Sequence, residues 1–289
     1  MKNPYKKKPP WLIRNLPRSP KYESTCSIIK DISLNTVCQE AKCPNKFECY
    51  SNGTATFLIL GSICTRNCLF CNIENGICKP LDNQEPLKVA KTVKKMNLKY
   101  AVITSVTRDD LSDGGAGAFA KTIELIKIKT PNTIIEVLIP DFKENYEALK
   151  LVLHARPHVL NHNIETVKGL YPKVRPEAEY SRSLRILEYV KKNTKIPCKS
   201  GIMLGLGETD KEIKQTFTDL LNVGCDILTV GQYLQPSKKH LAVQKYVHPK
   251  KFDEWKNCAL NMGFKQVASG PFVRSSYKAK ELFNSRLQK

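Results

Sequence analysis

From residue 54 onward, short runs of apolar and β-branched residues alternate with longer amphipathic segments. The apolar runs predict six strands, at residues 54–61, 100–106, 134–140, 158–163, 197–207 and 225–233. The intervening segments carry apolar residues at spacings of three and four, which predicts helices at 85–98, 118–129, 146–155, 181–192 and 211–223. Strands and helices that alternate in this way form parallel sheets with right-handed crossovers. The pattern therefore predicts an α/β fold.

Two architectures accommodate six such units: an open doubly wound sheet and a partial barrel. A doubly wound sheet usually has a phosphate-binding glycine motif after its first strand, and here that position holds three cysteines. We therefore predict a partial (β/α)6 TIM-like barrel with N-terminal and C-terminal extensions. The predicted segments are an N-terminal extension at 1–53, the barrel at 54–261 and a C-terminal extension at 262–289.

In barrels, the functional residues lie on the loops that follow the carboxyl ends of the strands. Polar residues gather at each of these positions in the chain, in the segments 64–71, 107–115, 140–142, 161–165, 205–209 and 231–237. This distribution predicts a ligand-binding barrel mouth.

The charge balance is strongly basic, with 47 Lys and Arg against 27 Asp and Glu, a net charge of +20. Such a surface attracts polyanions or acidic protein partners, although a general richness in lysine is an equally good explanation. The longest apolar runs are far shorter than a membrane helix, and the first residues lack the apolar centre of a secretory signal. We expect a cytoplasmic protein that does not bind membranes.

The chain contains eleven cysteines, and without an export signal they are better explained as metal-binding thiolates than as disulfides. Cys64, Cys68 and Cys71 form a C-x3-C-x2-C motif. Three thiolates on one loop can hold three irons of a 4Fe-4S cluster and leave the fourth iron open to a small molecule. A structural zinc site requires four ligands, and the nearest further cysteine is Cys78. The motif therefore favours an iron-sulfur cluster.

With an aromatic residue, Phe70, before its last cysteine, this motif resembles the signature of radical S-adenosylmethionine enzymes. The resemblance implies that the open iron binds the amino and carboxylate groups of S-adenosylmethionine. An electron from the cluster then cleaves the sulfonium, and the resulting 5′-deoxyadenosyl radical removes hydrogen from an unactivated carbon. The protein positions the cofactor and excludes competing reactions. We assign no catalytic residue beyond the cluster ligands.

Four polar residues at the predicted barrel mouth are candidates for contacts with S-adenosylmethionine. Asn163, Glu165 and Arg175 are suited to bind its ribose hydroxyls and charged groups, and Gln232 is placed to meet the adenine edge. Capping or cross-linking of loops is an equally good explanation for the first three.

A second triplet, Cys38, Cys43 and Cys49, lies upstream with the spacing C-x4-C-x5-C and indicates a second cluster. Both triplets with the segment between them closely resemble lipoyl synthases. The similarity continues through residues 102–115, 161–167, 174–180, 205–213, 228–237 and 270–277, and so covers nearly the whole chain.

This resemblance implies insertion of two sulfur atoms at carbons six and eight of an octanoyl chain attached to a lysine of a lipoyl carrier domain. The carriers would be acyltransferase subunits of 2-oxoacid dehydrogenases and the glycine cleavage carrier protein. The auxiliary cluster is consumed as the sulfur source, so a cluster-assembly carrier that rebuilds it is an implied partner. An electron donor for the cleavage of S-adenosylmethionine is a second implied partner. The resemblance also places a serine ligand of the auxiliary cluster at Ser276. The extension at 1–53 would then carry the auxiliary cluster, and the extension at 262–289 would close over it.

Two alternatives have less support. A radical enzyme of the biotin synthase kind, acting on a free small molecule, does not account for the upstream triplet. A zinc-binding nucleic-acid protein would use the +20 charge, but six βα units favour a catalytic barrel and no nucleic-acid module is recognisable. We expect no nucleic-acid partner.

Overall fold

The computed structural model describes residues 6–14 and 19–284. The chain forms two compact units, which we call the amino-terminal and the carboxyl-terminal unit. The amino-terminal unit comprises Leu16–Arg66 and Ile73–Leu160, and the carboxyl-terminal unit comprises Met1–Asn15, Asn67–Asn72 and Asn161–Lys289.

The amino-terminal unit combines a mostly parallel sheet with helices. Its strands are β1 (Asn35–Thr36), β2 (Thr56–Ile59), β3 (Ile63–Cys64), β4 (Glu74–Asn75), β5 (Tyr100–Ser105), β6 (Ile134–Leu138) and most of β7 (Val159–Asn161). Its helices are α1 (Pro20–Asp31), α2 (Val37–Glu40), α3 (Lys46–Ser51), α4 (Glu85–Lys95), α5 (Ala116–Lys129) and α6 (Tyr146–His154), with a short 3-10 helix at Phe142–Glu144. The sheet order is β1-β2-β5-β6-β7, and β3 and β4 form a separate parallel pair.

The core of this unit follows from the apolar runs. All four residues of β2 are buried, and it pairs in parallel with β5, Phe57 opposite Ile103. Helix α5 presents Phe119, Ile123 and Ile126 to the core, each fully buried. Side chains at spacings of three and four lie on one face of a helix, which is why this segment packs against a sheet.

The carboxyl-terminal unit continues the same pattern. Its strands are β8 (Cys198–Leu204), β9 (Ile227–Gln232) and β10 (Gln266–Gly270), in the order β8-β9-β10 with both pairings parallel. Its helices are α7 (Tyr171–Val174), α8 (Tyr180–Asn193), α9 (Asp210–Asn222), α10 (Pro249–Met262) and α11 (Ala279–Asn284), with short 3-10 helices at Pro10–Leu12 and Lys168–Leu170. Helix α9 begins with a capping box between Thr209 and Glu212.

All six predicted strands and all five predicted helices are confirmed, with the ends shifted by a few residues. The structure adds β1, β3, β4 and β10, which the sequence did not predict. The division into segments 1–53, 54–261 and 262–289 stays a prediction. None of the helices in the described residues is long and apolar enough to cross a membrane.

Candidate functional site

The first cysteine of the downstream triplet, Cys64, ends β3 in the amino-terminal unit. Its sulfur accepts hydrogen bonds from the backbone N–H groups of Thr107, at 3.3 Å, and Arg66, at 3.4 Å. Hydrogen bonds to cysteine sulfurs are one of the means by which proteins set the properties of iron-sulfur clusters. The donors around Cys64 therefore suit a thiolate bound to iron.

Arg66, two residues further on, is buried between two carboxylates. Its Nε and Nη2 donate to Asp109 at 2.7 and 3.0 Å, and its Nη1 and Nη2 donate to Asp141 at 2.9 and 2.6 Å. Burial lowers the pKa of Arg66, but the hydrogen bonds that Arg66 donates to Asp109 and Asp141 outweigh burial and raise the pKa above its ordinary value. Because the guanidinium makes two hydrogen bonds to each carboxylate, its orientation is fixed. Arg66 therefore fixes the backbone beside Cys64.

The loop after β5 is joined to the same segment through Thr65. The backbone N–H and the hydroxyl of Thr65 both donate to the carbonyl of Thr107 at 3.0 Å, and the N–H of Asp109 donates to the Thr65 hydroxyl at 3.0 Å. Residues 64–66 are thus held on both sides by residues 107–109. Sequence reasoning missed Thr65, Arg66, Asp109 and Asp141; the only signal was that they lie in polar segments after three of the predicted strands.

The turn before Cys64 is held by a buried carboxylate. Leu60 and Gly61 both have positive φ, 71° and 92°, a conformation that is unfavourable for leucine. The Glu85 carboxylate accepts hydrogen bonds from the N–H of Leu60, at 2.6 Å, and from that of Gly61. Burial raises the pKa of Glu85, and these bonds partly offset it. Strained backbone of this kind persists only where the surroundings enforce it, as Glu85 does here.

Cys68 and Cys71 belong to the carboxyl-terminal unit. The N–H of Cys71 donates to the carbonyl of Cys68 at 2.9 Å, which closes a turn between them. Leu69, inside this turn, donates to Val174 O at 3.0 Å and accepts from Leu241 N at 3.1 Å. The turn is therefore anchored on both sides by backbone hydrogen bonds.

Asn163, Glu165 and Arg175 do come together, after β7 in the carboxyl-terminal unit. The Asn163 amide donates to the Glu165 carboxylate at 3.0 Å, and Arg175 Nη1 donates to the Asn163 carbonyl at 3.2 Å. Asn163 Oδ1 is buried and has no hydrogen-bond partner in the part of the chain that the structure describes. A buried acceptor of this kind calls for a donor such as a sugar hydroxyl, which fits the predicted ribose contact.

Glu165 combines a strained backbone with a shifted pKa. Its φ is 65°, and its N–H and carbonyl pair with Gly201 O and Met203 N of β8, each at 2.8 Å. Burial raises the pKa of its carboxyl group, while the charges of Arg175 and Arg274 and the Asn163 hydrogen bond lower it. Perturbed carboxyl groups and strained backbone both concentrate at functional sites.

Gln232, the predicted adenine contact, is fully buried and engaged with the backbone. Its amide nitrogen donates to the carbonyls of Leu204, Tyr233 and Lys245, each at 3.0 Å, and its oxygen accepts from Val247 N at 2.8 Å. These contacts show a structural role, joining the ends of β8 and β9 to the 245–247 segment. The adenine contact stays a prediction without support from these bonds.

The upstream triplet lies in the amino-terminal unit, with Cys38 on α2, Cys49 on α3 and Cys43 between them. Burial and the charges of Cys43 and Cys49 raise the pKa of Cys38 to about 12, although a hydrogen bond from the Thr56 backbone lowers it. The Cys43 N–H also donates to the carbonyl of Cys38 at 3.3 Å, and Cys49 packs against the apolar cluster that contains Cys38. Thiolates are the usual ligands of iron-sulfur clusters, and a bound metal centre removes the repulsion between neighbouring thiolates, so these three residues fit a cluster.

Ser276 lies half-buried in a turn of the carboxyl-terminal unit, where Tyr277 N donates to Arg274 O at 2.9 Å. The preceding residues pass close over the end of β9. A Cβ at Gly231 would be 2.1 Å from the carbonyl oxygen of Val273, so only glycine permits this approach. The ligand role of Ser276 stays a prediction.

Within residues 6–14 and 19–284, no three His, Cys, Asp or Glu side chains are already arranged to hold a metal ion. The seven assigned ligands, the six cysteines and Ser276, therefore stay predictions.

Comparisons with known proteins agree on one family. The family model for the radical SAM superfamily matches residues 58–220. The lipoyl synthase of Caldicellulosiruptor saccharolyticus is 54% identical over 276 residues, covering 95% of this chain and 97% of the relative. The lipoyl synthase of Desulfotalea psychrophila is 55% identical over 277 residues, covering 96% of this chain and 93% of the relative.

Solved structures with low sequence identity share the fold. A methylornithine synthase aligns with a TM-score of 0.55 at 14% identity, covering 91% of this chain and 92% of that one. Streptococcus suis SuiB bound to S-adenosylmethionine aligns with a TM-score of 0.59 at 10% identity, covering 78% of this chain and 54% of that one. The predicted fold class, an α/β fold of the partial TIM-like barrel kind, is confirmed.

The superfamily uses a 4Fe-4S cluster and S-adenosylmethionine, so the prediction of these two cofactors is confirmed at that level. The prediction of a lipoyl synthase is confirmed by identities above 50% across almost the whole length. The chain belongs to the lipoyl synthase family of the radical SAM superfamily.

Proposed function

We propose that this chain inserts two sulfur atoms at carbons six and eight of an octanoyl group attached to a lysine of a lipoyl carrier domain. The observation that carries the proposal is the presence of two cysteine triplets in a chain that matches lipoyl synthases over 95% of its length. One triplet serves radical formation and the other serves sulfur supply. When bound, the first cluster with S-adenosylmethionine supplies the hydrogen-abstracting radical, and the second cluster supplies the sulfur.

Cys64, Cys68 and Cys71 hold the first cluster. The Thr107 and Arg66 N–H groups support this assignment, because they donate to the Cys64 sulfur and lower the cost of its negative charge. The paired carboxylates on Arg66 keep those donors in place.

Asn163 and Glu165 bind S-adenosylmethionine in this proposal. The buried Asn163 Oδ1 accepts a hydrogen bond from a ribose hydroxyl, and the Glu165 carboxylate accepts from a second ribose hydroxyl. Arg175 positions them, because its guanidinium donates to the Asn163 carbonyl and its charge lowers the pKa of Glu165.

Cys38, Cys43 and Cys49 hold the auxiliary cluster, with Ser276 as the ligand of the fourth iron. The backbone hydrogen bond from Cys43 to Cys38, and the packing of Cys49 against the apolar cluster that contains Cys38, support the first part of this assignment. An alkoxide is a harder ligand than a thiolate and binds iron of such a cluster less well. A weaker bond suits a cluster that must release this iron and give up sulfide.

Lipoyl carrier domains are the substrates that the family name implies. We propose the acyltransferase subunits of 2-oxoacid dehydrogenases and the glycine cleavage carrier protein as the specific carriers. An electron donor and a cluster-assembly carrier are further proposed partners. The cytoplasmic location stays a prediction.

Mass spectrometry of an octanoylated carrier domain tests the function directly. The carrier is incubated anaerobically with the cluster-loaded protein, S-adenosylmethionine and a reductant. The proposal expects a mass gain of two sulfurs less two hydrogens on the modified lysine. An unchanged carrier mass, alongside ongoing cleavage of S-adenosylmethionine, contradicts it.

A further inference from the structure

A cavity of about 430 Å³ in the carboxyl-terminal unit is lined by basic side chains. Lys173, Lys238 and Lys239 line it together with His240, and the nine lining residues include no Asp or Glu. All three lysines are exposed. We call this feature the lysine cavity. Like charges gathered around a concavity focus a positive potential into it, which attracts an anionic group.

The lysine cavity adjoins the turn that carries Cys68 and Cys71. Leu69 of that turn lines the cavity, and His240 Nε2 donates to the carbonyl of Cys71 at 2.9 Å. The other ring nitrogen of His240 bonds to the Ser237 hydroxyl at 2.9 Å, which fixes the ring. A molecule docked at the lysine cavity is therefore next to two of the three cysteines proposed to hold the radical-generating cluster.

The basic segment near the start of the chain extends this surface. Lys6 Nζ donates to the carbonyl of Gln244, a residue that lines the cavity, at 2.5 Å. The Tyr246 hydroxyl donates to Lys6 O at 3.1 Å, and Trp11 packs edge-on against His248 with 5.0 Å between ring centroids. These contacts place Lys6 beside the cavity, and Lys7 and Lys8, which are also exposed, follow it in the chain.

We propose that the lysine cavity, together with Lys6–Lys8, is the docking surface for the lipoyl carrier domain, and that the carrier presents an acidic face to it. The inference rests on the proposed function, which requires a protein-bound substrate to reach the cluster turn. Aspartate and glutamate carboxylates of the carrier meet the lysine ammonium groups, and the octanoyl-lysine arm extends toward the turn at Cys71. Complementary charges of this kind accelerate encounter and fix orientation, and they are screened by salt. Nucleic acid is a poorer fit, because the lining residues include no Phe, Tyr or Trp on which bases could stack.

The test compares two triple charge reversals that change the net charge equally. One is Lys173→Glu with Lys238→Glu and Lys239→Glu. The matched control is Lys211→Glu with Lys214→Glu and Lys256→Glu, three exposed lysines on α9 and α10 of the same unit. The dissociation constant is measured for an acidic, octanoylated lipoyl carrier domain, and for the same domain without the octanoyl group, at low and high ionic strength.

We expect the cavity variant to bind both carrier forms at least about tenfold more weakly at low salt, and the control less than about threefold. High salt should reduce the difference between the two variants. Equal weakening by the two variants, or none by either, overturns the proposal. A DNA duplex that binds as tightly as the carrier, and loses affinity by the same factor in the cavity variant, also overturns it, since the surface would then bind any polyanion.

Thermal unfolding of both variants controls for loss of the fold. The corresponding Lys→Gln triples should lose less affinity for the carrier, and the cavity triple should again lose more than the control triple. Failure of the proposed function can be distinguished from failure of the docking surface. If the function is wrong, the parental protein binds the carrier yet leaves the octanoyl group without sulfur. Parental sulfur insertion combined with an unchanged KM for the carrier in the cavity variant overturns the docking surface alone.

Discussion

Arg66 and Asp141, 75 residues apart in the sequence, form a buried ion pair with 2.6 Å between Nη2 and Oδ1. The side chains are 3% and 0% exposed. This pair, with the second pair from Arg66 to Asp109, ties the segment after Cys64 to the loops that follow β5 and β6. The first cysteine of the downstream triplet is thus positioned by charges from distant parts of the chain.

Replacement of Arg66 should destabilise the protein strongly. Arg66→Ala leaves the buried Asp141 without its cation, and the loss of one partner of a buried pair typically costs about 3–5 kcal/mol of unfolding free energy. Arg66→Lys keeps the charge but cannot pair with both carboxylates through two forks, so its loss should be smaller. Urea unfolding of the cluster-free protein measures both. Lys150→Ala, which removes an exposed pair with Glu147, is the control, and an equal loss there contradicts the argument.

Substitutions in the two cysteine triplets should have different effects on activity. Cys64→Ala, Cys68→Ala or Cys71→Ala should abolish reductive cleavage of S-adenosylmethionine, because the first cluster loses a ligand. Cys38→Ala, Cys43→Ala or Cys49→Ala should retain some cleavage but make no lipoyl product. Formation of 5′-deoxyadenosine and of lipoyl-lysine is measured side by side, with Cys258→Ala as a cysteine control outside both triplets. Upstream variants that make product near the parental rate contradict the division of roles.

Ser276→Ala should preserve cleavage of S-adenosylmethionine and severely reduce lipoyl formation, since the fourth iron of the auxiliary cluster loses its proposed ligand. Ser276→Cys should keep a cluster that releases sulfur poorly, because a thiolate is the softer and better ligand. Ser275→Ala is the neighbouring control and should behave like the parental protein. Normal product formation by Ser276→Ala removes the serine from the ligand set.

Gly231→Ala should displace the segment that leads to Ser276. The added Cβ would lie 2.1 Å from the carbonyl oxygen of Val273, far inside contact distance, so residues 273–276 must move. Gly270→Ala is the matched control, since its Cβ would meet the Val273 side chain at an ordinary 3.4 Å. Hydrogen exchange of the 271–278 segment and lipoyl formation are the measurements. We expect faster exchange and at least about a tenfold loss of product only for Gly231→Ala, a cost consistent with overpacking; the same result for both glycines would contradict this.

Asp226 gives stability a defined pH dependence. Burial raises the pKa of its carboxyl group, but hydrogen bonds from Lys265, the Cys198 N–H and Lys191 outweigh burial and lower the pKa below its ordinary value. A lowered pKa in the folded state contributes stability above the unfolded pKa of about 4, and this contribution disappears as the pH falls through the folded value. Asp226→Asn should therefore lose about 1–3 kcal/mol of unfolding free energy at neutral pH and approach the parental protein below about pH 4. Urea unfolding of cluster-free protein across this range measures the difference; a difference that does not vary with pH contradicts the assignment.

Much of the fold could be predicted because most of its strands coincide with local runs of apolar and β-branched residues. Residues 100–106 are apolar and β-branched, and they form β5 as expected. Strand β10 has the sequence QVASG, which lacks such a run, and it exists because Gln266–Gly270 pairs with β9. Pairing with a distant partner leaves little trace in a short segment.

The site residues also divide into those that local spacing predicts and those that depend on distant partners. The cysteine triplets were found from spacing, since ligands of one cluster lie close together in the chain. The clamp on Arg66 was missed because it joins three loops, and a single sequence shows that each is polar without showing which partners meet. Gln232 was assigned from its place at a strand end, but its four backbone partners come from residues 204, 233, 245 and 247, three of them distant in sequence.

The source of the inserted sulfur tests the central claim most directly. The protein is reconstituted with heavy-isotope sulfide, freed of excess sulfide, and given an octanoylated carrier domain, S-adenosylmethionine and a reductant for a single turnover. Mass spectrometry of the modified lysine should show two heavy sulfur atoms in place of two hydrogens. A lipoyl product that contains only light sulfur, or a carrier without added sulfur, contradicts the account.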